Sequence, residues 1–555
     1  MKSPAMDRLR NLGRAHARSV VVWTAVLLAT VLAVLFYSAT WRTGDDGRYY
    51  VLGVSIAEGA GLVQYENPLR PPEAITPPLY PALIACIVHA TDNPVVWVKR
   101  IGNVLYVIAV LMVVLALMGP NGVSRPGLMG ACMGMFAVSV VSFASFIMSD
   151  TLFILWVYAS LWMSGQQKQG KLACFVLGCG CGLAYLTRIA GLALVPALLL
   201  PALVKRQWRS LLFIGLGFGV VVAPWFYRKC FILEIPDQYV AMAEGYARMQ
   251  GKNLWVQFPL IMAQEFIRDV PVFLARVIPM PFFYSAGKLI PSRGFWNAIE
   301  MVMGCAMTAG LLLRIRRWAA MDYFFIFTIL LIAAVPGAIY DKYAFFPILP
   351  IAAFYFFSFM EWLARRSSGL PCAEWMGRGI RAAVIGAFAF SLLLDFTAGF
   401  VHFAKENPRR RHGPWAPERF LAFHNKYDDA WARVSEAATW IKDNTPTNAL
   451  LLSRKADHLF VMSERQGWRY DIPRHVDCQS PMEAVEKFAP DRMVLLLEDA
   501  FPAGRAFDAY GNNREQVLNE TVRKMPERWR VVYSTAEPVT RVWAYGGGDE
   551  SGTGE

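Results

Sequence analysis

The stretch TGDDGRYYVLGVSIAEG, residues 43–59, sets Asp45 and Asp46 side by side and follows them with an amphipathic segment carrying Arg48, Tyr49 and Tyr50. The apolar run just before it, 19–38, is flanked by the basic sequence MDRLRNLGRAHAR and lacks a small-residue cleavage pattern. Such a run reads as a retained signal anchor whose start lies in the cytoplasm. The two aspartates therefore fall where the chain leaves the bilayer on its outer side.

Working outward from there, apolar runs recur through the first four hundred residues. Of the 555 residues, 55% are hydrophobic and 17% charged, whereas a soluble chain of this length carries about a quarter charged residues. The fold class expected is a polytopic α-helical membrane protein with about eleven transmembrane helices of near-span length. These runs cover roughly 19–38, 101–118, 127–147, 151–165, 172–187, 190–204, 210–227, 297–313, 320–340, 343–363 and 382–404. The loops QQKQGK, KRQWR, RIRRW and ARRSSGLPCAEWMGRGIR then lie inside, as the positive-inside rule asks. The net charge of +13 is largely this short-loop surplus. No basic, aromatic-interleaved domain stands apart, so nucleic acid is not an expected partner.

The same reading divides the chain into a membrane domain, 1–404, and a soluble outer tail, 405–555. Within the first part, 39–100 and 228–296 form two large outer loops, the former holding PPLYPALIACIVHA, too short to span and suited to the interface. In the tail, WARVSEAATWIKDN and SPMEAVEKFA have helical periodicity. NALLLS and DRMVLLLED read as strands, and WRVVYSTAEPVTRVWAY as a hairpin, giving a small α/β domain. Nine cysteines show no disulfide or metal spacing, and seven histidines show no motif such as HExxH.

Chemistry concentrates on the outer side. Asp150, in FIMSDTLFILW, joins Asp45 and Asp46 there. A partly desolvated carboxylate becomes more basic and can take a proton from an attacking hydroxyl; Ser149 or Asp150 can equally cap the helix that follows. Arg188 in AYLTRIAGL, Arg228 and Lys229 in APWFYRKCF, and Lys342 with Tyr343 in IYDKYAFFPILP stand at outer helix ends. One such cation alone reads as snorkelling to lipid headgroups. Several beside carboxylates and aromatics suit an anionic lipid headgroup, and a phosphate leaving group needs such fixed positive charge.

The order DDxxYY…AEG, ITPPLYPALIA, MSDTLF, LTRIAGL, APWFYR, DKYAFFPILP and, in the tail, AATWIKDNTPTNALLLSRKADHLFVMSER resembles the GT-C superfamily of polytopic glycosyltransferases. The likeness is to the branch holding protein O-mannosyltransferases and the aminoarabinose transferases of lipid A. It implies an inverting transfer of sugar from a polyprenyl-phosphate donor to a hydroxyl of lipid A, a glycan or a protein. The transfer takes place on the periplasmic face of a bacterial inner membrane. By that resemblance Asp45 is the base and Asp46 its acidic neighbour, where Glu is commoner. Asp150 is the second acid, and Arg188, Lys342 and Tyr343 contact donor phosphate, to which the outer-end cation Arg228 is added from its position alone. Arg48, Tyr49, Arg70 and Tyr80 belong to the substrate loop. Lys342 replaces a common arginine, and the loop lysine of aminoarabinose transferases has no counterpart near Thr76 and Pro77, although Arg70 is close. No cofactor is required, and a divalent metal beside the paired acids is compatible. The rival class is a transporter or a flippase of lipid-linked glycans. Its mid-helix coupling acids and related halves are not evident.

Overall fold

The computed structural model describes residues 19–33, 45–118, 124–137, 140–141, 146–166, 170–233, 270–279, 293–333, 346–366, 426–453, 455–469, 481–499, 519–537 and 539–546, with a few isolated positions besides. Helix α1 (Ser19–Ala33) is followed by α2 (Asp46–Ala57), α3 (Leu79–Ala90) and α4 (Pro94–Met118). Next come α5 (Arg125–Met135), α6 (Asp150–Ser164), α7 (Lys171–Thr187), α8 (Leu194–Val204) and α9 (Trp208–Tyr227). The apolar part continues with α10 (Arg293–Leu313), α11 (Ala320–Ala333) and α12 (Leu349–Arg366). Strands then alternate with helices: α13 (Lys426–Asn444), β1 (Leu450–Ser453), α14 (Ala456–Ser463), β2 (Gln466–Arg469), α15 (Pro481–Phe488), β3 (Val494–Glu498), β4 (Trp529–Ser534) and β5 (Arg541–Tyr545). Two compact units result. One comprises Met1–Ser38, Ala74–Tyr80 and Val96–Ala416, the other Ala39–Glu73, Pro81–Val95 and Pro417–Glu555.

In the first unit, four stretches among the described residues are long and apolar enough to cross a bilayer: Pro94–Met118, Trp208–Ile232, Gly294–Leu313 and Phe346–Arg366. Five further apolar helices among the described residues are shorter, one of them, Leu79–Ala90, lying mainly in the second unit, and the expected span 382–404 lies outside the described residues but for isolated positions. The described helices cover part of the expected set of about eleven spans, and some of the apolar runs are interrupted. In the run 127–147 the helix Arg125–Met135, about 16 Å at 1.5 Å per residue, ends at a bend over Phe136 and Ala137. The run around Arg188 breaks there, the residue being extended (φ −148°, ψ 138°), before a 3-10 turn, Ile189–Ala193, leads into α8. Such interruptions are tolerated at membrane depth where protein encloses the freed backbone groups.

Close backbone approach and tyrosine hydroxyls hold this unit together. A Cβ on Gly134 would lie 2.4 Å from the Pro350 backbone nitrogen, and one on Gly130 2.7 Å from that of Phe354, so α5 and α12 meet main chain to main chain. Tyr106 donates to the Met135 carbonyl at 2.8 Å and Tyr158 to the Pro347 carbonyl at 2.6 Å. Tyr355 donates to Asp322 at 2.8 Å, and Asp322 also accepts from Arg314 at 3.1 Å and from the Ala319 amide at 2.7 Å. Without water to satisfy them, buried hydroxyls and carboxylates need such partners.

In the second unit the strand order is β2-β1-β3-β5-β4. β1 runs parallel to β2 and β3 (Leu450 opposite Gln466 and Val494), while β5 is antiparallel to both β3 and β4 (Leu495 opposite Ala544, Trp529 opposite Tyr545). The period of two sorts the strand residues onto two cores. Leu451, Leu495, Leu497, Val542 and Ala544 pack with Trp431, Val434, Ala438 and Ile441 of α13. Leu450, Leu452, Val494 and Leu496 pack with Val485 and Phe488 of α15 and with Trp468 and Trp529. A sheet covered on both faces explains why LLL and VLLL lack polar alternation. Fully burying each such leucine is worth about 1.5–3 kcal/mol.

Candidate functional site

The expected site residues fall in both units. In the first, Asp150 opens α6 and is 2% exposed. Ser149 holds the N-cap position without a side-chain capping bond, so capping does not account for the pair. Instead Arg188, at the break after α7, donates from Nη1 to Asp150 Oδ2 at 2.6 Å. The second acid and one expected phosphate contact are thus a charge-assisted pair. The positive end of α6 adds to the stabilisation of the carboxylate. Arg228 lies over the Trp225 ring, 5.4 Å from its centroid. Tyr80 is buried near the start of α3. Lys342 and Tyr343 lie outside the described residues; the chain resumes at Phe346–Ile348, a 3-10 turn that receives the Tyr158 hydrogen bond from α6.

In the second unit, Asp45 is exposed at the N-cap of α2 and makes no side-chain capping bond; only its carbonyl is engaged, by the Tyr49 amide at 3.0 Å. Asp46, one residue on, is 0% exposed and bonded to Nε2 of His458 from α14. Behind the ring, His458 Nδ1 meets Asp457 Oδ1 at 3.0 Å, and Arg469 stands 3.6 Å from Asp457 Oδ2, an ion pair beyond hydrogen-bond length. Four charges of alternating sign therefore run Asp46, His458, Asp457, Arg469.

Burial disfavours the imidazolium, but Asp457 and Asp46 outweigh it, and His458 is pushed up to about 9. Burial likewise opposes ionisation of Asp457, yet His458 and Arg469 hold it well below the usual carboxylate range. At neutral pH the ring is a cation, with both nitrogens donating. The Gly47 amide accordingly donates to Asp46 Oδ1 at 3.1 Å, not to the protonated Nε2 at 3.2 Å.

The other loop residues are held close by. Arg48 donates to Glu73 at 2.6 Å, and Tyr49 and Tyr50 are buried on α2. Arg70 adopts φ 46° and covers the Tyr65 ring at 4.5 Å, while Tyr65 meets Phe460 of α14 edge-on. Glu66 is buried, its carbonyl accepting from the Gly467 amide at 2.8 Å. Burial, with Asp457 adding to it, pushes its carboxyl up to about 7.

Two residues of weight were missed from the sequence. His458 sits in SRKADHLF, a stretch quoted for its motif and not for its histidine; an Asp-His pair directly after a strand was the available signal. Lys99, set in an apolar helix with no motif around it, is fully buried in α4; complete burial of a lysine is rare without a partner. Among the described residues no group of three His, Cys, Asp or Glu side chains is arranged to hold a metal ion. The acidic pair fits one poorly, because Asp46 is already committed to an imidazolium.

The arrangement of these helices and of the strand-bearing unit follows a fold known from solved structures. No protein-family model and no curated protein matches the chain. Among solved structures it is similar to ArnT from Cupriavidus metallidurans bound to undecaprenyl phosphate, at TM-score 0.53 and 14% identity, covering 94% of this chain and 97% of that one. The apo state of the same ArnT gives 0.52 and 14%, covering 95% and 98%. An Archaeoglobus fulgidus oligosaccharyltransferase tethered to an acceptor peptide gives 0.48 and 13%, covering 94% and 74%.

Proposed function

We propose that the chain is an inverting glycosyltransferase that moves a sugar from a polyprenyl-phosphate donor to a hydroxyl of an envelope lipid, glycan or protein. The observation that carries the reading is the shared fold with ArnT over nearly the whole of both chains, combined with an exposed carboxylate at Asp45 beside a committed one at Asp46. A base must be reachable and have room for a proton; Asp45 meets that requirement and Asp46 does not. The undecaprenyl phosphate held by ArnT supports a lipid-linked donor here. The residues 1–404 act as the membrane domain and 405–555 as a periplasmic one, in a bacterial inner membrane with the N-terminus cytoplasmic.

In this mechanism Asp45 takes the proton of the acceptor hydroxyl, and the oxygen attacks the anomeric carbon opposite the phosphate. The bond from that carbon to the phosphate oxygen breaks, and polyprenyl phosphate leaves as a monoester. Arg188, Lys342, Tyr343 and Arg228 stabilise the developing charge, which is worth most where water is excluded. Asp150 fixes the Arg188 guanidinium for that task. Arg48, Tyr49, Arg70 and Tyr80 shape the acceptor side. A phosphate leaves without protonation, so a second general acid of the glycoside-hydrolase kind is not needed.

The test is Asp45→Asn, expressed in a deletion strain. Mass spectrometry of its lipid A, polysaccharide and protein glycans is expected to show loss of the modification that the wild-type gene restores. Purified Asp45→Asn protein is expected to keep its affinity for undecaprenyl phosphate. Normal modification by the variant removes the base assignment. A transporter or flippase would be indifferent to this substitution.

A further inference from the structure

The geometry points to His458 as a positioning residue for the acidic pair: its imidazole clamps Asp46, fixes the first turn of α2, and thereby aims the Asp45 carboxylate. This rests on the reading of Asp45 as base. The Asp45 side chain makes no capping bond of its own, so its direction is set by the backbone behind it. That backbone is seized one residue later, where Asp46 and His458 meet with neither exposed.

The fit is built into the chain. A Cβ on Gly47 would lie 2.7 Å from His458 Cγ and Nδ1, so only glycine lets the ring reach Asp46. The ring is held from behind by Asp457, whose Oδ1 also accepts from the His458 amide at 3.0 Å. Trp431 of α13 lies beside it, ring centroids 4.7 Å apart and tilted 44°, a geometry that favours a cationic imidazole. The charged groups around the ring are Asp46 on α2, Asp457 on α14, Lys455 just before it and Arg469 on β2, with Glu66 and Arg48 next to those. This set leaves the imidazolium balanced between two carboxylates. A buried pair of this kind gives little net stability against an apolar replacement, and its best-attested use is to fix one arrangement. Misplacing a reacting group by about 1 Å costs on the order of 100-fold in rate, so an arrangement fixed here bears directly on transfer.

The experiment uses the full-length protein and separates geometry from mere packing. Glutamine sets an amide nitrogen near the position of Nε2 and can still bond Asp46; asparagine reaches only the Nδ1 position. His458→Asn is expected to lower restoration of the envelope modification roughly 10- to 100-fold and to raise amide exchange over residues 46–50. His458→Gln is expected to recover both within about threefold, the gap corresponding to under 1 kcal/mol. Gly47→Ala, which displaces the ring, is expected to behave like His458→Asn, and it carries the test with His458→Gln should His458→Asn not accumulate. Undecaprenyl phosphate binding is expected to stay unchanged throughout. Equal transfer in all three variants, or equal damage by Gln and Asn, overturns the proposal. Failure of Asp45→Asn to abolish transfer is a separate result, which removes the base and leaves the exchange difference to report the clamp alone.

Discussion

Asp45 and Asp46 are the same residue on neighbouring positions, and their surroundings give them opposite uses. Asp46 is withdrawn into an ion pair with His458, while Asp45 stays in reach of solvent. The sequence made the pair visible, along with Asp150 and Arg188, because acids and cations at helix ends are costly and stand out from apolar runs. It did not reveal that Asp150 and Arg188 bond to each other, nor that His458 serves Asp46, because no local period links positions 38 or 412 residues apart. The histidine also sets a pH dependence. Its folded value of about 9 lies above the free 6.5, so its contribution is whole below the free value and is lost as pH rises through 9. Glu66, raised to about 7, costs stability as pH climbs from its free value of 4.5 and levels off above 7. Protection of the β1 and β3 amides is therefore expected to fall between about pH 6.5 and 9, and His458→Gln to flatten that fall. A limb of unchanged slope in the variant would assign the loss to another group.

Among elements, those whose hydrophobic pattern is complete in one segment were the legible ones. The tail helices α13 and α15, the strands β1 and β3, and the β4–β5 hairpin all occupy stretches that periodicity marks. Helix α14 and strand β2 escaped notice, being eight and four residues long with mixed polarity. In the apolar part, hydropathy located the runs but not their breaks. Nothing in AVSVVSFAS announces that α5 stops at Met135; the buried Phe136, Ala137, Val140 and Val141 are as apolar as spanning residues are. The two units also cohere by different forces. Hydrophobic burial joins sheet to helices in one, whereas helices in lipid gain from close packing of small residues. Gly134→Ala tests the latter directly. Its new methyl would press on Pro350 main chain, which cannot rotate away, and overpacking of this kind costs about 1–3 kcal/mol. A clear drop in thermal unfolding midpoint in detergent is expected, with Gly215→Ala, where a Cβ meets nothing within 4 Å, as the neutral comparison.

For the molecule as a whole, contact grouping joins residues 39–73 and 81–95 with 417–555, although more than three hundred residues separate them in the chain. Composition marks a change of character near 405, but cannot mark this grouping, since the earlier pieces are short, mixed in polarity and partnered only at a distance. A chain ended at residue 416 lacks His458, Asp457, Trp431 and the β2 amide that meets Glu66. Trypsin is expected to cut such a chain rapidly after Arg48 and to spare that bond in the full-length protein, where His458 holds Asp46 in the first turn of α2; equal protection of the two chains would show that α2 is ordered without the tail. The contact between Asp46 and His458 also imposes a schedule on synthesis. A ribosome threads out the acid-bearing helix 412 residues ahead of the histidine, so a nascent chain that has reached only α12 holds Asp46 without the ring that braces it.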